Sequence, residues 1–258
     1  MKTKSKVFLI ALIVVVGLMI GGAVFWDYYS TEDLHKPTIT RNTSFPEHFV
    51  GEKGVLTVEI PEVYELLNVV IFLTEDARSG KIAVNKQTAY HREVEQWFGE
   101  HAGHPAVEEI QQAVRERGVT SLRVLFAYRF DGSRITHNGT HNEYAVKYTG
   151  DKFVELLADF AEKSSFQEFY RKHQEYYRQE IESAERLIPV RDIWDWLEAN
   201  FPKRHDAYRV VLSPLLRGTH NTFNYYDRSS DYSEVVMFIA LPTIFRRQYT
   251  HPDTYKAI

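Results

Sequence analysis

Cysteine is absent from all 258 residues. That excludes disulfides, a cysteine-linked lipid anchor, a thiolate nucleophile and any thiolate metal site. Several chemical signatures are missing as well. The chain contains no G-x-S-x-G elbow, no Walker-type phosphate loop, no G-x-G-x-x-G and no H-E-x-x-H. Serine-hydrolase, P-loop, dinucleotide-binding and helical two-histidine zinc chemistry therefore have no sequence support. An excess of basic residues is lacking too, since 31 Lys and Arg stand against 35 Asp and Glu. This balance argues against a nucleic-acid surface, which needs clustered cations.

Charge is missing locally where it matters most. Lys2, Lys4 and Lys6 precede a run from Val7 to Trp26 without a charged residue, and Asp27 ends it. At about 1.5 Å per residue such a run spans roughly 30 Å as a helix, the thickness of a bilayer's hydrocarbon core. The lysines predict a cytoplasmic N-terminus, which places everything after Trp26 outside, periplasmic or extracellular, behind a single-pass anchor in the cell membrane. A cleaved signal peptide is the rival expectation, with Gly21-Gly22-Ala23 as its only weak cleavage site, but the apolar run exceeds the usual h-region. Trp26, Tyr28 and Tyr29 suit an interfacial aromatic belt, and Gly17 with Gly21 makes one G-x-x-x-G. Removing residues 1–26 takes three lysines and no acids, leaving 28 basic against 35 acidic residues and a formal charge of −7. The sequence identifies the membrane, through residues 7–26, as a partner; it identifies no nucleic acid and no particular protein or peptide.

Aromatic residues are plentiful, 16 Tyr and 16 Phe, as an ordered core requires. Residues 27–53, with Pro37 and Pro46, read as a juxtamembrane linker, and the domain is expected over 54–258. Alternation predicts a strand over Val55–Ile60; Pro61 then opens a helix whose Val63, Leu66, Leu67, Val70 and Ile71 recur at helical spacing. Further helices are expected over Tyr90–Glu100 and from Pro105 to Gly118, joined by the turn His101–His104, where capping chemistry is the expected role of the two histidines. Between Ser121 and Tyr148, Asp131-Gly132-Ser133 and Asn138-Gly139-Thr140 signal turns and hairpin-like pieces. From Asp151 the helical period returns, and Ser165 with Glu168 reads as a capping box for a helix carrying Phe166, Phe169, Tyr170, His173, Tyr176, Tyr177 and Ile181. A helix over Ile193–Phe201 and buried strands over Tyr208–Leu212 and Val235–Leu241 complete the pattern. The expected class is α+β, mostly helical, with a small late β-sheet, preceded by one N-terminal transmembrane helix.

His137 and His141, four apart with Glu143 nearby, have zinc-site spacing only on a helix, and Asn138-Gly139-Thr140 favours a turn instead. His173 sits among aromatics and reads as a packed, hydrogen-bonded residue. The stripe from Phe166 to Tyr177 reads as core. The stretch Ser213–Asn224 gathers Arg217, His220, Asn221 and Asn224 without apolar periodicity beside a buried strand, and these four are the candidate binding residues. No residue set suggests catalysis or metal binding.

Three stretches carry a resemblance. His91–Ile110 (HREVEQWFGEHAGHPAVEEI), Phe166–Phe201 with FQEFYRKHQEYYRQEIE and DWLEANF, and Val210–Asn224 (VVLSPLLRGTHNTFN) together resemble a bacterial family of extracytoplasmic proteins similar to zinc metallopeptidases. The resemblance covers about residues 55–250 and rests on order and local pattern. It implies that an H-E-x-x-H helix would follow the strand-loop-strand region, with two zinc-binding histidines and a glutamate that activates water. This sequence has no such helix, and His251 has no partner at helical spacing, so no catalytic residue is carried over. Zinc is expected only if a longer form of the chain supplies the ligands. The expected function is a membrane-anchored extracytoplasmic domain similar to the N-terminal part of such a protein; the alternative is an envelope module that binds peptide or glycan.

Overall fold

A computed structural model describes residues 38–42, 54–137, 151–187, 190–201, 205–217, 221–227 and 232–240. The apolar run 7–26, the turn at Asn138, and His141, Glu143, His220 and His251 lie outside the described residues. In chain order the elements are β1 (Thr38–Asn42), β2 (Val55–Glu59), α1 (Glu62–Leu73), α2 (Glu75–Arg78), α3 (Ala89–Phe98), α4 (Pro105–Arg117), β3 (Tyr128–Asp131), β4 (Arg134–His137), α5 (Asp151–Lys163), α6 (Phe166–Lys172), α7 (Gln174–Leu187), α8 (Val190–Asn200), β5 (Ala207–Ser213), β6 (Asn221–Asp227) and β7 (Tyr232–Ala240). Two 3₁₀ segments, Gly99–Gly103 and Val119–Ala127, flank α4. The class is α+β and mostly helical. Among the described residues no helix is long and apolar enough to cross a membrane.

Five strands form one sheet in the order β1-β2-β5-β7-β6. The first four run parallel, and β6 runs antiparallel against β7. Of the three strands that come late in the chain, β5 and β7 follow the predicted apolar runs and β6 does not, and the sheet also takes in β1 and β2. Residues 38–42 fall in the stretch read as linker, yet they pair in parallel with β2, Thr38 opposite Val55 and Asn42 opposite Glu59. Linker composition did not reveal this, because a five-residue edge strand needs little beyond its backbone hydrogen bonds.

The sheet has helical material on both faces. Thr57, Glu59, Arg209, Val211, Ser213, Glu234, Val236 and Phe238 share one face by register and alternation. There Phe238 meets Tyr64 of α1 and Phe126 of the second 3₁₀ segment, with ring centroids 5.4 Å apart in each pair. On the opposite face Tyr208 packs against Trp194 of α8, centroids 4.0 Å apart. Helix α1 is buried from Val63 to Leu73 on every side, Glu65 and Asn68 included. A third body of aromatic core joins α3, α5, α6 and α7 through Phe98, Phe160, Phe166, Phe169 and Tyr177.

Several element ends follow directly from local chemistry. Helix α4 starts at Pro105 and stops at Gly118, whose φ of +78° needs no Cβ. The His104 ring caps it, Nδ1 accepting from Ala106 N–H at 3.1 Å while Nε2–H meets Asp159 Oδ2 at 3.0 Å. The hairpin β3–β4 turns through Gly132 (φ +63°) and Ser133, a two-residue loop with Gly at its first position.

Two expectations are corrected here. Ser165 adopts a left-handed conformation, φ 54° and ψ 38°, and its hydroxyl makes no capping bond. The tight corner from α5 into α6 sets that left-handed backbone, and the end of α6 goes without the side-chain bond. The helix expected from Ser165 through Ile181 is also broken at His173, which separates α6 from α7.

Candidate functional site

Parallel strands concentrate loop and helix termini at their carboxyl ends, where open sheets bind ligands. Here β2 ends into Ile60-Pro61 and α1, while β5 ends at Ser213 opposite Ala240 of β7. Ser213 Oγ accepts from Leu215 N–H at 3.3 Å and donates to Glu65 Oε2 at 3.3 Å. Glu65 Oε1 accepts from the Tyr90 hydroxyl at 2.8 Å, and that hydroxyl lies 2.7 Å from Tyr177 Oη. A buried chain of polar groups thus joins β5, α1, α3 and α7. Burial pushes the Glu65 carboxyl up to about 8, against the opposing hydrogen bonds of Tyr90, Asn68 and Ser213. Tyr90 and Tyr177 are both raised well above the usual phenol range, burial being the larger cause in each.

The stretch after Ser213 is pinned. Asn85 N–H donates to Leu215 O at 2.7 Å, Arg217 N–H donates to Ala83 O at 3.0 Å, and Val84 bridges Leu216 in antiparallel fashion. Arg217 is half-buried there. Beyond it, residues read as polar loop form strand β6. Asn221 stands opposite Phe238 and Asn224 opposite Val235, so the two asparagines lie on opposite faces of the sheet. Asn221 Oδ1 accepts from Thr222 N–H at 2.9 Å. Arg217 and Asn221 therefore belong to the carboxyl end of the sheet, and Asn224 points from its other face, exposed. Of the three described candidates, Arg217 and Asn221 share one end of the sheet and Asn224 lies on its other face; His220 lies outside the described residues. Strand β6 evaded the sequence reading because Asn221, Asn224 and Asp227 give N-T-F-N-Y-Y-D the look of a polar loop; its pairing with β7 supplies the order.

Two further features were missed. One is the triad Glu59–Arg209–Glu234 across β2, β5 and β7. Arg209 Nε donates to Glu234 Oε1 at 2.9 Å and Nη1 donates to Glu59 Oε1, and all three side chains are almost fully buried. Burial raises the Glu59 carboxyl, with Arg209 opposing, whereas the two carboxylates hold Arg209 protonated despite its own burial. The signal was a single arginine within the apolar run Ala207–Leu212. The other is an open groove of about 680 Å³ whose walls include Glu93, Trp97, His101, Lys163, Lys172 and His173. His173 Nδ1–H donates to Phe169 O at 2.8 Å, its Nε2 lies 2.9 Å from Glu93, and Lys172 Nζ sits 4.5 Å over the Trp97 ring. His173 is a packed, hydrogen-bonded residue, as its aromatic surroundings suggest.

No group of three or more His, Asp or Glu side chains is placed to hold a metal ion among the described residues. His137 ends β4 with its ring against Tyr128, centroids 5.0 Å apart. Compared with protein-family models, with curated proteins and with solved structures, the chain has no significant match.

Proposed function

We propose that this chain is a membrane-anchored domain outside the cytoplasm that binds extended peptide along β6, on a scaffold similar to the N-terminal part of zinc metallopeptidase-like proteins. One observation carries the peptide reading. Strand β6 pairs with β7 along one side only, and no described strand pairs with its outer side. An edge strand offers a row of backbone donors and acceptors to an incoming strand, and β-augmentation uses that row for affinity. The exposed Thr222 and Asn224 and the half-buried Phe223 and Tyr225 alternate along it, supplying different chemistry to the two faces of a paired peptide. In the metallopeptidase-like reading the same edge would hold a substrate; H-E-x-x-H does not occur, so no residue of this chain is assigned a catalytic role.

The anchor reading rests on the uncharged run 7–26 behind three lysines. The test of peptide binding is amide hydrogen exchange of the full chain in detergent, with and without a pooled library of unstructured heptapeptides. Slowed exchange confined to 221–227 is the expected result. Unchanged exchange there at millimolar peptide overturns the reading.

A further inference from the structure

Among the described residues the exposed large apolar side chains are Trp196, 38% exposed, and Phe201, 50% exposed. They contact each other edge to face, centroids 5.7 Å apart, and form one small aromatic patch at the end of α8. The inner side of α8 is fully used, since Trp194 is buried on Tyr208 and Leu197 packs against the core. Trp196, two residues on from Trp194, projects from the other side of the helix. Nothing in the core requires an indole there.

The position of α8 relative to the chain's entry explains the patch. Tyr208 lies near the amino end of β5, in lateral register with Leu56 of β2, which stands opposite Ile39 of β1. The parallel strands share polarity, so α8 sits over the end of the sheet at which the chain enters through Thr38. Only residues 27–37 separate that entry from the apolar run 7–26. At about 3.5 Å per residue these eleven residues span at most roughly 40 Å. The aromatic patch therefore lies at the end of the sheet where the chain enters from residues 27–37.

We infer that Trp196 and Phe201 rest in the lipid headgroup region of the membrane to which the chain is tethered. The inference depends on the anchor reading given above. Tryptophan favours this interface because its ring is apolar and its N–H polar. The tether converts docking into an intramolecular step, so two side chains suffice where a free protein would need more. Helix α8 itself brings no cationic face to the contact, carrying Arg191 against Asp192, Asp195 and Glu198. The partner is a neutral phosphatidylcholine surface, which the apolar area of the two rings suffices to recognise.

The test places the full chain, carrying Trp26→Phe, in phosphatidylcholine vesicles with brominated acyl chains. Subtracting the emission of a Trp26→Phe/Trp196→Phe variant isolates Trp196. Quenching of Trp196 by bromolipid and protection from aqueous iodide, both lost with Phe201→Ser at unchanged far-ultraviolet circular dichroism, is the expected result. If alkaline carbonate strips the chain from vesicles, the anchor reading fails and this inference falls with it. If the chain is retained but Trp196 is quenched by iodide and not by bromolipid, the anchor stands and the docking is wrong. Protection from both quenchers overturns it too, because protein rather than lipid would then cover the patch.

Discussion

Arg209 is the residue on which the centre of the sheet turns. It links Glu59 and Glu234 where water cannot reach, and removing one partner of such a cluster leaves uncompensated buried charge. Arg209→Met should destabilise the fold by about 3–5 kcal/mol in chemical denaturation, and replacing all three residues by apolar ones of similar volume should recover most of that loss. Glu65 makes the second residue-scale prediction. Its folded value of about 8 lies above the 4.5 of an ordinary glutamate, so the folded state binds more protons between those values. Its contribution to stability is fully present below about pH 4.5 and lost as pH rises through about 8. Unfolding midpoints should fall from pH 5 to pH 8.5, and Glu65→Gln should flatten that slope. Part of the slope should persist in that variant, because burial also raises Glu62, to about 7, and Glu59. The place of Glu65 was half legible: a glutamate and Asn68 inside an otherwise apolar helix forecast buried polar groups. The Tyr90 hydroxyl that meets Glu65 comes from 25 residues away and Tyr177, which meets Tyr90, from further still, and no local pattern names either.

At the scale of elements, local rules worked where one residue decides an end. Pro105 and Gly118 delimit α4, and Gly132 makes the hairpin turn. The His104 cap belongs here. His104→Ala should cost about 0.5–2 kcal/mol of stability by denaturation, whereas His104→Asn, which caps through its side-chain oxygen, should cost less. Local rules failed where tertiary geometry overrode them. Ser165 has the sequence of a capping box, but the α5–α6 corner requires a left-handed residue at that point, and the backbone conformation wins over the side-chain bond. Strand β6 is the converse, a segment with weak strand patterning that is ordered by a neighbour on one side.

At the scale of the whole molecule, β2 and β5 are adjacent in space but about 150 residues apart in sequence, with the helical body inserted between them. The carboxyl end of the sheet, the buried polar chain and the edge strand are all products of that closure. If β6 receives extended peptide, lysines along it should block the pairing, as they do on natural edges. Thr222→Lys with Asn224→Lys should abolish the peptide-dependent protection of 221–227 while leaving the denaturation midpoint within about 0.5 kcal/mol of the parent, as exposed substitutions do.

The sequence by itself determined what depends on near neighbours or on bulk composition. Helix periods, the Pro and Gly boundaries, the hairpin turn, the late apolar strands and the mostly helical α+β class all belong to that set. Tertiary structure alone decided that residues 38–42 enter the sheet, that β6 lies at the edge of the described strands with Asn221 and Asn224 on opposite faces, and that Arg209 finds two carboxylates. The reason is physical. A cap or turn is settled within a few residues by sterics and one hydrogen bond, whereas strand partners and buried charges are chosen by desolvation across distant segments, which no window of sequence contains.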